Sequence, residues 1–300
     1  MIGDKITAKR RIASIMALCG WLATAAVAAG EAAPLDWQEF AYTGQSLDIA
    51  PQTRGNTREN VWRPDGTMLF VVGRASHRVV AYRTPEPWDL DEAEPLAVFD
   101  FSRVLAGAAG SNAHGLYFAD DGERMWLFNR SEIWAFTLTE PWDIATAGAT
   151  GHAPLRQLVP GLHGHGIAFK PDGSKLYVDD RIAGAIFAFA LDEPWDVASA
   201  ELKATLDISE QQQAVRGIEF VRDGAVMLLL DTDRREVLQY RLEEPYDITT
   251  AAYVDALDLS EQTRYPQGLS VVRDGESLYV TDTMQARIFR YDREAEAAQR

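Results

Sequence analysis

Apolar residues along this chain gather in short runs separated by polar turns, and no stretch sustains a helical 3.6-residue period. Residues 166–169 (Gly-Ile-Ala-Phe) form one run and lead into the turn Pro171-Asp172-Gly173. Residues 175–178 (Lys-Leu-Tyr-Val), 185–189 (Ala-Ile-Phe-Ala-Phe) and 203–208 form the next three. An Asp-Gly pair between two apolar runs predicts a tight hairpin, because glycine reaches the positive φ the turn needs. β-branched and aromatic residues in the runs favour strands. The unit therefore reads as four short antiparallel strands, here named a to d in chain order.

The unit recurs. Asp-Gly turns stand at Asp65-Gly66, Asp121-Gly122, Asp172-Gly173, Asp223-Gly224 and Asp274-Gly275, with spacings of 56, 51, 51 and 51 residues. A second landmark follows each of the first four: Pro87-Trp88-Asp89, Pro141-Trp142-Asp143, Pro194-Trp195-Asp196 and Pro245-Tyr246-Asp247. Four-stranded units at this period predict the blades of a β-propeller. The fifth unit supplies only a, b and c, at 268–271, 277–280 and 287–291, whereas residues 46–49 form an orphan strand before the first unit. That orphan resembles the d strands at 206–208 and 257–259. The expected fold is all-β: a five-bladed propeller of four-stranded antiparallel blades over 37–293, closed by an N-terminal strand that completes the last blade and removes its open edge.

The pattern Gly-Ile-Ala-Phe-x-Pro-Asp-Gly-x-x-Leu-Tyr-Val, then Ile-x-x-Tyr, then Pro-Trp-Asp-Ile-x-Thr-Ala resembles the repeats of bacterial and phage β-propeller proteins, related in style to the YVTN and NHL groups. The resemblance covers about 37–293. It implies a propeller and leaves function open, because these groups include lactonases, lyases, sugar-binding modules and interaction scaffolds.

The N-terminus changes the picture of the compartment. Lys5, Lys9, Arg10 and Arg11 precede an apolar stretch at 12–26, and Ala26-Val27-Ala28 offers the small residues of a cleavage site. Residues 1–28 thus read as a signal peptide, 29–36 as a linker and 294–300 as a polar tail. The expected location is periplasmic or secreted, without stable membrane insertion after cleavage. The single cysteine, Cys19, lies in the segment removed, so the mature chain has no disulfide and no thiolate chemistry. The net charge of −16 argues against nucleic acid and anionic membrane surfaces as partners. A monomer is expected.

The Pro-Trp-Asp landmark recurs in nearly every unit, as a structural c–d turn should. Proline fixes φ, the aromatic covers the blade and the aspartate caps the turn. Positions that vary between units are more informative about chemistry. One residue before the strand-a glycine position stand Arg58, His114, His165, Arg216 and Gln267, and strand b ends at Gly73, Asn129, Asp180, Asp231 and Asp282. Antiparallel pairing puts both sets on one face of the ring, at the mouth of the central channel. Three uses are open. The polar residues can stitch strands together. Arg58 and Arg216, with the others, can bind a carboxylate or sulfate. His114 and His165, from neighbouring blades, can hold a divalent metal ion, the one cofactor the sequence suggests. His163-Gly164-His165 points two imidazoles to one side of an extended segment. His77 and His152 are expected in solvent. A long loop at 103–113 beside the mouth reads either as a lid or as a tolerated insertion.

No Gly-x-Ser-x-Gly elbow, phosphate-binding glycine loop or His-Glu-x-x-His motif is present. The reading is an exported module that binds a small molecule or a protein through the channel mouth. The alternative is a metal-dependent lactone hydrolase or lyase working at the same mouth.

Overall fold

The hairpin signals become five four-stranded antiparallel sheets in the computed structural model, which describes residues 33–105 and 112–294. The expected signal peptide at 1–28, the first part of the expected linker, residues 106–111 of the long loop and the tail from 295 lie outside the described residues. Blade 1 is β2 (Thr57–Trp62), β3 (Met68–Gly73), β4 (Arg78–Arg83) and β5 (Glu94–Asp100). Blade 2 is β6 (Gly115–Phe118), β7 (Arg124–Phe128), β8 (Ile133–Leu138) and β9 (Ala147–Ala153). Blade 3 is β10 (Ile167–Phe169), β11 (Lys175–Asp180), β12 (Ala185–Leu191) and β13 (Ala200–Asp207). Blade 4 is β14 (Val215–Val221), β15 (Val226–Asp231), β16 (Glu236–Leu242) and β17 (Ala251–Asp258). Blade 5 is β18 (Pro266–Val272), β19 (Ser277–Asp282), β20 (Arg287–Arg293) and, from the other end of the chain, β1 (Phe40–Asp48).

The innermost strands β2, β6, β10, β14 and β18 contact one another in that order, and β18 returns to β2 to close the ring. Strand β1 is the predicted closing strand; it starts at Phe40, ahead of the expected 46–49, and ends at Asp48, one residue before Ile49. It pairs with β20 from Phe40↔Arg293 to Asp48↔Arg287, with a register shift between Tyr42 and Ser46. Among the described residues no helix is long and apolar enough to cross a membrane.

Each pair of neighbouring blades encloses its own apolar cluster. Blades 1 and 2 share Phe70, Leu116, Leu127 and Phe136. Blades 2 and 3 share Trp126, Phe169 and Phe187, and blades 3 and 4 share Tyr177, Ile186 and Leu229. Between blades 4 and 5, Leu35 and Trp37 join Leu228, Leu269 and Leu278. The seam between blades 5 and 1 has the smallest cluster of the five among the described residues, built on Ile49, Trp62, Leu69 and Tyr279.

The Pro-Trp-Asp segments do the structural work expected of them. Trp88, Trp142, Trp195 and Tyr246 adopt positive φ, between 60° and 71°. Each lies over the Asp-Gly turn glycine of its own blade, so closely that a Cβ on Gly66, Gly122, Gly173 or Gly224 would fall within the ring. Glycine is thus required twice there, for its φ and for the space. Asp89, Asp143, Asp196 and Asp247 each accept a hydrogen bond from the amide two residues on, and in the last three this caps a 3-10 turn into strand d.

Candidate functional site

Where the a strands begin, the five variable residues meet around the axis. The Arg58 Nε donates to His114 Nδ1 at 3.3 Å, and its Nη1 donates to Thr57 O and Thr283 Oγ1. The His114 and His165 rings meet edge to face, centroids 4.4 Å apart. His165 Nε2 lies 3.4 Å from Arg216 Nη1, and Arg216 Nη2 donates to the Tyr265 hydroxyl at 3.0 Å. Arg58, His114, His165, Arg216 and Gln267 are all buried, and these contacts join the first four into a layer across the bore.

The outer positions behave differently. Asp180 accepts from the amides of His163, Ile182 and Ala183. Asp231 accepts from those of Gln213, Ala214, Asp233 and Arg234. Asp282 accepts from those of Arg264, Tyr265 and Gln285. Asn129 Oδ1 accepts from Ser131 and Glu132. The three aspartates tie the loop before strand a to the b–c turn, and Asn129 braces its own b–c turn. Their lone pairs are spent on backbone amides that would otherwise lack partners.

One residue further on lies a feature that strand-based reasoning passed over. The b–c turns of blades 1, 2 and 3 begin with Arg74, Arg130 and Arg181, where blades 4 and 5 have Thr232 and Thr283. All three arginines are half-buried, and no carboxylate among the described residues forms an ion pair with them, with Arg58 or with Arg216. The Nε atoms of Arg74, Arg130, Arg181 and Arg216, the Nδ1 of His163 and His165, and both amide atoms of Gln267 are buried without a hydrogen-bond partner. In a chain of net charge −16, five guanidinium groups converge on one mouth.

The titration behaviour reflects this. Burial, then the charges of Arg74 and Arg216, push Arg58 down to about 9, so it stays charged at neutral pH. Burial and Arg58 push His114 down to about 2. Burial and His114 hold His165 well below the ordinary imidazole value, and burial with Arg130 lowers His163. The imidazoles are therefore neutral, hydrogen-bonding walls in a cationic mouth. Among the described residues no group of three or more His, Cys, Asp or Glu is placed to hold a metal ion. His152 is tied to buried Glu132 at 3.3 Å, beside Arg156, and the His77 ring packs against Phe101.

Below the layer lie three carboxyls. Asp179 accepts from the His165 and Gly166 amides and is pushed up by burial to about 7. Glu59, in the position that is glycine in the other blades, accepts from Leu269 N across the blade seam. Burial and the charge of Glu219 hold it well above the usual carboxylate range. Burial pushes Glu219 up to about 8. A carboxyl with a raised folded pKa gives stability that is complete below its unfolded value near 4 and is lost as pH rises through the folded value. The buried histidines have the opposite sign, and their contribution is complete above about pH 6.5. From pH 6.5 to 8.5 only the carboxyl effect remains among these groups, so the melting temperature should fall across that window. The fall should be smaller in Glu219→Gln. An equal fall in that variant would show that Glu219 is not a cause.

No protein-family model matches the chain, and no curated protein matches it. Solved structures do. A functionally unknown protein from Desulfotomaculum acetoxidans aligns at 14% identity over 75% of this chain and 62% of its own, with a TM-score of 0.43. A protein from Lactobacillus plantarum aligns at 8% identity over 75% and 64%, with a TM-score of 0.49. A protein from Bacteroides uniformis, provisionally named a 6-phosphogluconolactonase, aligns at 14% identity over 73% and 61%, with a TM-score of 0.43. The chain spans less than two thirds of each of these proteins.

Proposed function

We propose that this protein is an exported binding module whose ligand, a small molecule or a group on a partner protein, presents an oxyanion to the arginine-lined mouth. The observation that carries this is the set of five guanidinium groups without an acidic partner, several with buried donors left over. Carboxylate, sulfate and phosphate oxygens match guanidinium geometry two bonds at a time. Gln267, Tyr265 and the neutral imidazoles add uncharged hydrogen-bonding groups that can fix orientation. The repeats' likeness to YVTN and NHL propellers, export with a mature N-terminus at Ala29, and a monomeric state belong to the same proposal. Protein recovered from the cell envelope should start at that residue.

The test is calorimetric titration with sulfate and with citrate. One charge-assisted contact is worth ~1.5–3 kcal/mol, so Arg130→Ala should weaken binding about 10- to 100-fold. Raising the salt concentration should weaken it as well. Equal affinity in wild type and variant would overturn the assignment. A metal-dependent hydrolase or lyase ranks second. The close approach of His114 and His165 favours it, but the guanidinium charges around them oppose a divalent cation there.

A further inference from the structure

The other end of the channel is a separate cavity of about 280 Å³, walled by residues from all five innermost strands. Its sides mix aromatic rings, those of Trp62, Trp88, Tyr117 and Trp142, with polar groups. Glu59 and Glu219 enter it from opposite blades. Glu59 is buried, and its Oε1 accepts from both Asn60 N and Leu269 N. Glu219 accepts from Val271 N and is half-buried against the cavity. The indole N–H groups of Trp62 and Trp88, in the same wall, are buried and have no acceptor, and Trp62 is 5% exposed. A pocket of this size with aromatic walls and convergent polar groups has the form of a small-ligand site. The Arg58–His114–His165–Arg216 layer separates it from the cationic mouth.

We infer that this cavity binds a small organic ammonium compound, its charge held between Glu59 and Glu219 and its carbon skeleton against the aromatic wall. Two carboxyls in an apolar setting resist ionising together, and an ammonium group between them removes that penalty. Aromatic faces add a favourable cation–π term, and the indole N–H groups can take an acceptor oxygen on the ligand. The other ionisable groups facing the carboxyls are Asp179 beyond Glu59 and, in the cavity wall, Tyr117, Asp120 and Arg273. Arg273 stands over the Trp88 ring, 5.4 Å from its centroid.

The probe is n-butylamine, with n-butanol as the neutral control of similar size, in amine-free buffer. Tryptophan fluorescence and calorimetry both report binding. Wild type should bind n-butylamine at least about tenfold more tightly than n-butanol. Glu219→Gln keeps the acceptor for Val271 N and should remove most of that preference without lowering the melting temperature. Affinity for the amine should rise from pH 7 to 9 as Glu219 ionises, with proton release measurable in two buffers of different ionisation enthalpy. Arg130→Ala should bind the amine normally, which separates this site from the anion mouth whether or not the mouth binds anions. Three results would overturn the inference: no amine binding at millimolar concentration, equal binding of n-butanol, or an unaltered preference in Glu219→Gln.

Discussion

Deleting residues 37–49 is expected to open the ring, so that the truncated protein aggregates or melts far below the intact one. Among the described residues strand β1 is the only partner of the outer edge of β20, and its ladder runs from Phe40↔Arg293 to Asp48↔Arg287. Without it, blade 5 presents unpaired backbone donors and acceptors along a full strand, a template for association with other chains. The apolar loss is large as well. Trp37 and Ile49 are buried, and burying two such side chains is worth about 3–6 kcal/mol, a substantial part of the ~5–15 kcal/mol by which a domain is stable. The loss falls on two seams at once, because Trp37 packs between blades 4 and 5 while Ile49 belongs to the small cluster between blades 5 and 1. Polar ties go too: Gln45 is held by Arg290, and Ser46 by Arg287. A control lacking residues 295–300 should melt with the full chain. Thermal unfolding and light scattering of the two truncations decide the matter. An N-terminal deletion that stays monomeric and melts with the intact protein would disprove closure by β1.

Much of this architecture was legible because propeller blades repeat their chemistry where geometry leaves little choice. The Asp-Gly turns mark the a–b hairpins, and the covering aromatic recurs because the turn glycines of blades 1 to 4 each lie under one, whereas Leu35 stands over Gly275. The closing strand was legible only over 46–49. Before that, Gly44 takes a φ of +89° and the register shifts between Tyr42 and Ser46, so the period-2 pattern breaks off.

The site was legible in part for the same reason. Register alone brings Arg58, His114, His165, Arg216 and Gln267 together at one level of the ring. It could not show that Asp180, Asp231 and Asp282 would turn to backbone amides, since that depends on which donors the neighbouring loops present. Arg74, Arg130 and Arg181 were missed because they stand in turns, one residue past the end of alternation, where arginine is ordinarily a solvated surface residue. Their signal is comparative: three consecutive blades carry arginine at a position where the other two carry threonine. Glu59 was visible as the exception to a column of glycines. Its partner Glu219 is one charge among 45 acidic residues and is singled out only by its place in the bore.

Replacing the three turn arginines together, as Arg74→Gln, Arg130→Gln and Arg181→Gln, is expected to abolish oxyanion binding while leaving the ligand-free protein as stable as wild type or more so. Three charge-assisted contacts at ~1.5–3 kcal/mol each amount to a loss of about a thousandfold or more. The stability expectation follows from the same geometry. These guanidiniums form no ion pair with a carboxylate among the described residues, and like charge works against Arg130: after burial, Arg74, Arg181 and Arg216 all lower its pKa. Folding therefore brings positive charges together without compensation, and the unfolded chain is free of that repulsion. Glutamine keeps a polar, hydrogen-bonding side chain at each position and removes the charge. Any gain in melting temperature should be largest at low salt and shrink as the Debye length falls from ~30 Å at 0.01 M to ~8 Å at 0.15 M. Sulfate should raise the melting temperature of wild type, because a ligand at 100 times its dissociation constant stabilises the native state by ~2.7 kcal/mol. It should leave the triple variant where it was. A site kept for binding at the expense of stability gives this pair of results. A network that serves only to stitch blades together gives the reverse, a variant that melts well below wild type with or without sulfate, and that outcome would remove the basis for the oxyanion site.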